Sequence, residues 1–234
     1  NESSEIIRML NSAFDAQTEV GTDYYPEALR PEIDAVNDSV YENVNNGVYR
    51  CGFATTQAAS SKAYARLFAT LDELDARLSG QRYLAGTRIT EADWRLFTTL
   101  VRFDAVYVGH FKCNRQRIAD FEALSGYLRE LYQVPGVAGT VHLGHIKRHY
   151  YYSHDTINPP PFGPAGPPLD LESPHARDHR PAADPACGKG KKKWAPLESL
   201  AAAAPEGGSG VEVARPCRHF PKKVGAAGNP GGRG

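Results

Sequence analysis

Apolar positions in the first 158 residues recur at helical spacing, and no stretch alternates in the way a half-buried strand does. The widest apolar face lies in residues 89–111, ITEADWRLFTTLVRFDAVYVGHF. There Trp94, Phe97, Leu100, Val101 and Asp104 follow one another at helical intervals, and Leu96 and Phe103 widen the face beyond what a surface helix needs. The stretch also carries its own start signal. Thr90 is a good N-cap, Asp93 three residues on can reach back to the free backbone N–H groups, and Ile89 can staple against Trp94. The pattern predicts a buried central helix over 89–111 with the rest of the chain wrapped around it.

Five further helices follow from the same reasoning. Residues 1–14 place Ile6, Ile7, Leu10 and Phe14 on one face, with Ser3 or Ser4 as cap and Glu5 in the first turn. After a loop over 21–31, Pro31 suits the first position of a helix carrying Ile33, Val36, Val40 and Val44, which Gly47 is expected to end. Residues 54–78 keep Tyr64, Leu67, Phe68, Leu71, Leu74 and Leu78 in register and close at Gly80, before the tight connection 83–86. Ile118, Phe121, Leu124, Leu128 and Leu131 mark another helix, stopped near Pro135 and Gly136, and a last one is expected over 140–151. With no strand pattern and no repeat, the expected fold class is all-α, a bundle with short loops.

Composition divides the chain near residue 159. Residues 1–158 hold all 12 Tyr, whereas residues 159–234 hold 14 of the 17 Pro and 12 of the 22 Gly, so a disordered or extended Pro/Gly-rich tail is expected there. The zero net charge hides a mildly acidic body, with 16 Lys and Arg against 20 Asp and Glu, which argues against nucleic acid as partner. Cys51, Cys113, Cys187 and Cys217 stand apart from one another without framework spacing, as in a reducing compartment. No apolar run approaches the ~20 residues of a membrane span, and the polar start is no signal peptide, so a soluble intracellular protein is expected. Asn1 in place of Met points to a fragment or a truncated reading frame.

Five groups of residues are candidates for chemistry. His142, His145 and His149, with His154, have a spacing open to metal ligation, but the Glu of a metalloprotease helix is absent and no metal is expected; they read as a polar face. Adjacent Tyr150, Tyr151 and Tyr152 point in different directions and cannot all enter one core, so one of them is expected to line a pocket. Tyr49, just past the expected helix end at Gly47, and Tyr107, near the end of the central helix, are placed to face a cleft at one end of the bundle. Nothing near Cys51 or Cys113 lowers a thiol pKa, so neither reads as a nucleophile. Lys191, Lys192 and Lys193 read as a solvated charge run.

Four segments together resemble the glutathionyl-hydroquinone reductases, the Xi class of glutathione transferases. They are NESSEIIRMLN at the start, VNNGVYRCGFATTQ at 44–57, YLAGTRITEADWRLFTTLVRFDAVYVGHFKCN at 83–114 and IKRHYYYSHDTINP at 146–159, with a weaker match through His175. The resemblance implies a glutathione transferase C-terminal-like helical bundle over 21–158, preceded over 1–20 by the last helix of a thioredoxin-like domain and a linker, and followed by the tail over 159–234. It also implies glutathione as cofactor, a glutathionyl-hydroquinone substrate and a homodimer. Glu2 and Ser3 would hold the γ-glutamyl part of glutathione. Tyr49 would be the proton donor or acceptor, with Tyr107 and Tyr150 lining the site. In that family a Cys-Pro-Trp-Ala motif attacks the sulfur of the conjugate, and a second glutathione resolves the mixed disulfide. These 234 residues hold no such motif, so the chain alone is expected to be inactive; it is expected to be cytoplasmic unless plastid-borne, and the Ala-, Gly-, Pro- and Arg-rich residues from about 181 onward are expected to be intron or frame-shifted translation. The rival expectation is a non-catalytic helical module for protein association.

Overall fold

The computed structural model describes residues 3–18, 21–159 and 162–181; residues 182–234, with Lys191, Lys192 and Lys193, and residues 1 and 2 lie outside the described residues. The helices are α1 Ser3–Leu10, the short α2 Asp15–Thr18, α3 Arg30–Val40, α4 Asn46–Gly52, α5 Gln57–Gly80, α6 Glu91–Arg102, α7 Glu122–Tyr132 and α8 Leu143–Ser153. Among the described residues no strand forms, and the one β-bridge is the tight turn between Tyr83 and Gly86, where Gly86 takes a positive φ of 102°. The fold is the expected all-α bundle.

Gly47 does not end a helix. The chain passes from α3 through a π-helical turn, Tyr41–Asn45, straight into α4, and Val40, Val44 and Val48 are each fully buried along this continuous rod. Gly47 faces the Leu67 side chain of α5, so it marks a close helix approach rather than a C-cap. Tyr49 consequently lies inside α4 and not beyond a helix end.

The central helix is also shorter than expected. Regular α-helix stops at Arg102, and a π-helical turn, Phe103–Tyr107, follows in which all five residues are buried. Five consecutive buried residues span a full turn, so this segment is enclosed by the bundle on every side rather than along one stripe. Asp104 lies inside this turn. Its carboxylate accepts the Ile118 and Ala119 N–H groups at 2.6 and 3.1 Å, and Asp75 on α5 likewise accepts those of Ala123 and Leu124 at 2.9 and 2.8 Å. The starts of the turn Ile118–Asp120 and of α7 are thus capped from elsewhere in the bundle.

The start of α6 is as expected. Asp93 accepts from the Thr90 backbone N–H at 2.7 Å and the Thr90 hydroxyl at 2.9 Å, and also from the Leu84 N–H at 2.9 Å and the Tyr127 hydroxyl at 2.7 Å. One fully buried carboxylate therefore ties the α6 start to the preceding turn and to α7.

The first helix is shorter than expected. Its apolar residues Ile6, Ile7, Met9 and Leu10 are 42–56% exposed, so its face is outside the core. What attaches α1 is ionic: Arg8 donates to Asp34 at 2.6 Å and to Glu91 at 2.9 Å, and its guanidinium lies 3.8 Å from the Tyr25 ring centroid. Residues 162–181 carry no helix or strand and run along the bundle. Leu171 and Arg177 of that segment are buried against it.

Candidate active site

Tyr49 on α4, Tyr107 at the end of the π turn and Tyr150 on α8 are brought together. The Tyr150 hydroxyl lies 2.7 Å from that of Tyr49 and 2.8 Å from that of Tyr107. The three elements come together because each ring packs on others: Tyr107 stacks on Phe111 at 5.5 Å between centroids, and Tyr49 leans on Phe111 at 5.2 Å. Gly52 makes this possible. A Cβ there would stand 2.1 Å from the Phe111 ring, so any side chain would displace the ring on which both tyrosines rest. Of the three neighbouring tyrosines on α8, Tyr150 faces this cluster, Tyr151 packs on His110 and Tyr152 is exposed, as three successive helical positions require.

The hydroxyls open on a cavity of about 1080 Å³ between α1, the α3–α4 rod, α6 and α8, whose aromatic wall includes Tyr24, Tyr41, Trp94 and the three tyrosines. Ser3 lies on its rim, while Glu2 is outside the described residues. The polar side chains of α6 that face the cavity, Arg95, Thr98 and Arg102, were not singled out from the sequence, because they fall on the polar face of an amphipathic pattern. Burial, reinforced by hydrogen bonding and electrostatic interaction with Tyr150, pushes the phenols of Tyr49 and Tyr107 well above their ordinary pKa.

Cys51 and Cys113 are both buried free thiols; the hydrogen bond between them raises the Cys113 thiol, which burial raises further, and lowers that of Cys51, so against expectation one neighbour does lower a thiol pKa. Among the described residues no group of three or more His, Cys, Asp or Glu could hold a metal ion. His142 and His145 neighbour each other at 5.3 Å between ring centroids, whereas His154 turns away to pair with His110, Nδ1 to Nε2 at 3.0 Å. Burial lowers the His110 pKa to about 4, with His154 and Lys112 adding to the effect. An unfolded histidine takes its proton near pH 6.5, so between about pH 4 and that value the unfolded chain holds more protons than the folded one. Stability is therefore expected to climb with pH across that window and level off above it. His110→Phe should flatten the climb in urea unfolding series; an unchanged slope would assign the acid sensitivity elsewhere, for instance to His154, which burial also lowers.

The chain is similar to known proteins over most of its described length. Residues 57–130 match the family model for the glutathione S-transferase C-terminal domain. The chain is 54% identical over 180 residues to the glutathionyl-hydroquinone reductase YqjG of Escherichia coli K-12, covering 77% of this chain and 55% of that protein. It is 58% identical over 167 residues to the glutathionyl-hydroquinone reductase PcpF of Sphingobium chlorophenolicum, covering 71% and 53%. The glutathione-bound structure of YqjG superposes with a TM-score of 0.74 over 75% of this chain and 57% of that one, at 54% identity. A Xi-class glutathione transferase of Natrialba magadii superposes with a TM-score of 0.75 at 51% identity, over 76% and 55%. The chain spans about half the length of the curated relatives it matches. Over that span it is similar to the glutathionyl-hydroquinone reductases and the Xi class of glutathione transferases, and its all-α body is a glutathione transferase C-terminal-like helical domain.

Proposed function

We propose that the cavity is the hydroquinone side of a glutathionyl-hydroquinone reductase site, in which Tyr49 hands a proton to the departing hydroquinone. The observation that carries this reading is the hydroxyl arrangement. Three phenols carry three protons, and two hydrogen bonds join them, so one O–H always remains to be donated outside the cluster. Tyr49 is the most exposed of the three, at 39%, and when Tyr107 donates to Tyr150 and Tyr150 to Tyr49, the spare proton is that of Tyr49. Because burial holds Tyr49 and Tyr107 neutral across the physiological range, the cluster serves as acid rather than base.

The reaction named for the relatives requires such an acid. A thiolate attacks the sulfur of the conjugate, a sulfur–sulfur bond forms and the carbon–sulfur bond breaks. The electron pair left on the ring must then be quenched by one proton. Tyr49 supplies it, and the Tyr150–Tyr107 relay stabilises the phenolate left behind. Ser3, on the cavity rim, with Glu2 beside it in sequence, holds the γ-glutamyl end of glutathione. Neither buried thiol attacks; the nucleophile belongs to the Cys-Pro-Trp-Ala motif that the family resemblance implies, which these residues do not contain.

Calorimetric titration of the chain with glutathionyl-menadiol tests this. Saturable binding is expected, weakened by about five- to twentyfold in Tyr49→Phe through loss of one hydrogen bond, with no turnover. Binding indifferent to Tyr49→Phe, or turnover by the chain alone that Cys51→Ser abolishes, would overturn the reading.

A further inference from the structure

We propose that Arg102 makes the tyrosine cavity a phenolate-binding site, holding a ring oxygen of the bound hydroquinone in its anionic form. The proposal rests on the cavity being the hydroquinone side of the site and names the residue that selects the charge state of its ligand.

Two arginines of α6 reach the cavity wall, and their surroundings differ. Arg95 is already paired: its guanidinium lies 3.3 Å from the Glu91 carboxylate, which Arg8 also engages. Arg102, at the last position of the same helix, donates to the Thr98 carbonyl one turn back and, among the described residues, has no carboxylate within ion-pair distance. A guanidinium offers five N–H donors in a planar fork, so most of its capacity is uncommitted. It is half-buried and lines the same aromatic cavity as the three phenolic side chains, where water screening is weakened. Its charge is felt at the oxygens of both Tyr49 and Tyr107, where it works against the upward push of burial. A cation that acts at phenol oxygens on the cavity wall acts equally on a phenol oxygen of a ligand lying against them.

Chemically the fit is specific. The aromatic wall supplies stacking surface for a flat ring, the Tyr49 proton supplies a donor, and Arg102 supplies the full positive charge that a neutral phenol does not need and a phenolate does. A substrate with an acidifiable ring hydroxyl is therefore favoured over one in which that oxygen is methylated.

4-Nitrophenol is a suitable probe because its phenolate absorbs in the visible and its phenol does not. Titrating it with the chain across its own ionisation range reads the affinities of both forms. The phenolate is expected to bind about tenfold tighter than the phenol, a lowering of the bound probe's pKa by about one unit. Arg102→Gln should abolish this preference, and Arg102→Lys, which keeps the charge, should retain most of it. Arg95→Gln should leave it in place. Equal affinity for the two forms, or a preference that survives Arg102→Gln or falls with Arg95→Gln, overturns the role of Arg102 while the cavity assignment stands. Absence of any saturable binding overturns both.

Discussion

Asp93→Ala is expected to lower folding stability by about 4 kcal/mol, one of the two largest effects of any single substitution in the chain. The carboxylate is fully buried and accepts four hydrogen bonds, two on each oxygen. Removing it leaves the Thr90 and Leu84 N–H groups and the Tyr127 hydroxyl without an acceptor in a region water does not reach. Each such group costs roughly 1–3 kcal/mol, less when several relax together. The Thr90 N–H is also one of the unsatisfied donors at a helix start, so the first turn of α6 loses its fixed entry. At about 2–4 °C per kcal/mol for a domain of this size, the thermal midpoint should fall by roughly 8–16 °C. Asp93→Asn should lie between, because its amide oxygen keeps the two partners on one side while its NH2 confronts the Thr90 N–H on the other. Circular-dichroism melts of the three chains decide it: a midpoint within about 3 °C of wild type for Asp93→Ala would show that the carboxylate is not the junction described.

The Thr90–Asp93 pair was legible in the sequence because capping is local chemistry, decided within three residues. The other two partners of Asp93 were not, since Leu84 and Tyr127 join it through the tertiary fold. The same division explains the helix ends. Gly80 marks the true end of α5, but Gly47 carries the same local signal and lies mid-rod, because contact with Leu67 outweighs its weak helix propensity. The apolar stripe through Phe103 and Tyr107 identified a buried segment correctly and its geometry wrongly, since periodicity reports which positions seek burial and not whether the hydrogen bonds run i→i−4 or i→i−5. On α1 the stripe was read correctly: amphipathicity marks a face that seeks cover, and nothing among the described residues fully covers it.

The site followed a similar course. That one of three adjacent tyrosines on α8 must face a pocket is a consequence of helical geometry, and Tyr150 does so. Helix positions placed Tyr49 and Tyr107 at one cleft, but the convergence of both with Tyr150 on a common hydroxyl network involves separations of 101 and 43 residues, and joining the three in one site came from family resemblance. Arg102 gave no signal. An arginine on the polar face of a helix is ordinary, and its distinction lies in the carboxylate it lacks, which only the fold can show.

Arg177→Ala is expected to cost about 3–5 kcal/mol, the other large effect, although Arg177 lies in a segment whose composition gave no reason to expect a fold. Its side chain is buried to 3% exposure. The Nε donates to Glu130 at 2.9 Å, Nη1 approaches the Leu78 and Ala123 carbonyls at 3.4 and 3.3 Å, and Nη2 reaches those of Gln81 and Arg82. Three of these carbonyls lie at or just beyond the end of α5, where the helix itself supplies no donors. One guanidinium thus closes α5, neutralises half of a buried carboxylate and fastens the extended segment. The chain is turned inward for this by Ala176 at φ 56°, and Gly126 lets it pass, since a Cβ there would meet the His175 carbonyl at 2.7 Å. Truncation strands Glu130 with Arg82 and the Tyr83 hydroxyl as its remaining partners and orphans the α5 carbonyls. Arg177→Lys should recover only part of the loss, because a single ammonium cannot span Glu130 and four carbonyls in different directions. Urea unfolding gives the magnitude and hydrogen exchange the place: amides of residues 166–181 should lose protection first, with Gln133 releasing its bonds to the Leu171 and Ser173 carbonyls. If stability falls by less than about 1 kcal/mol and those amides exchange as before, the segment is held by something other than Arg177.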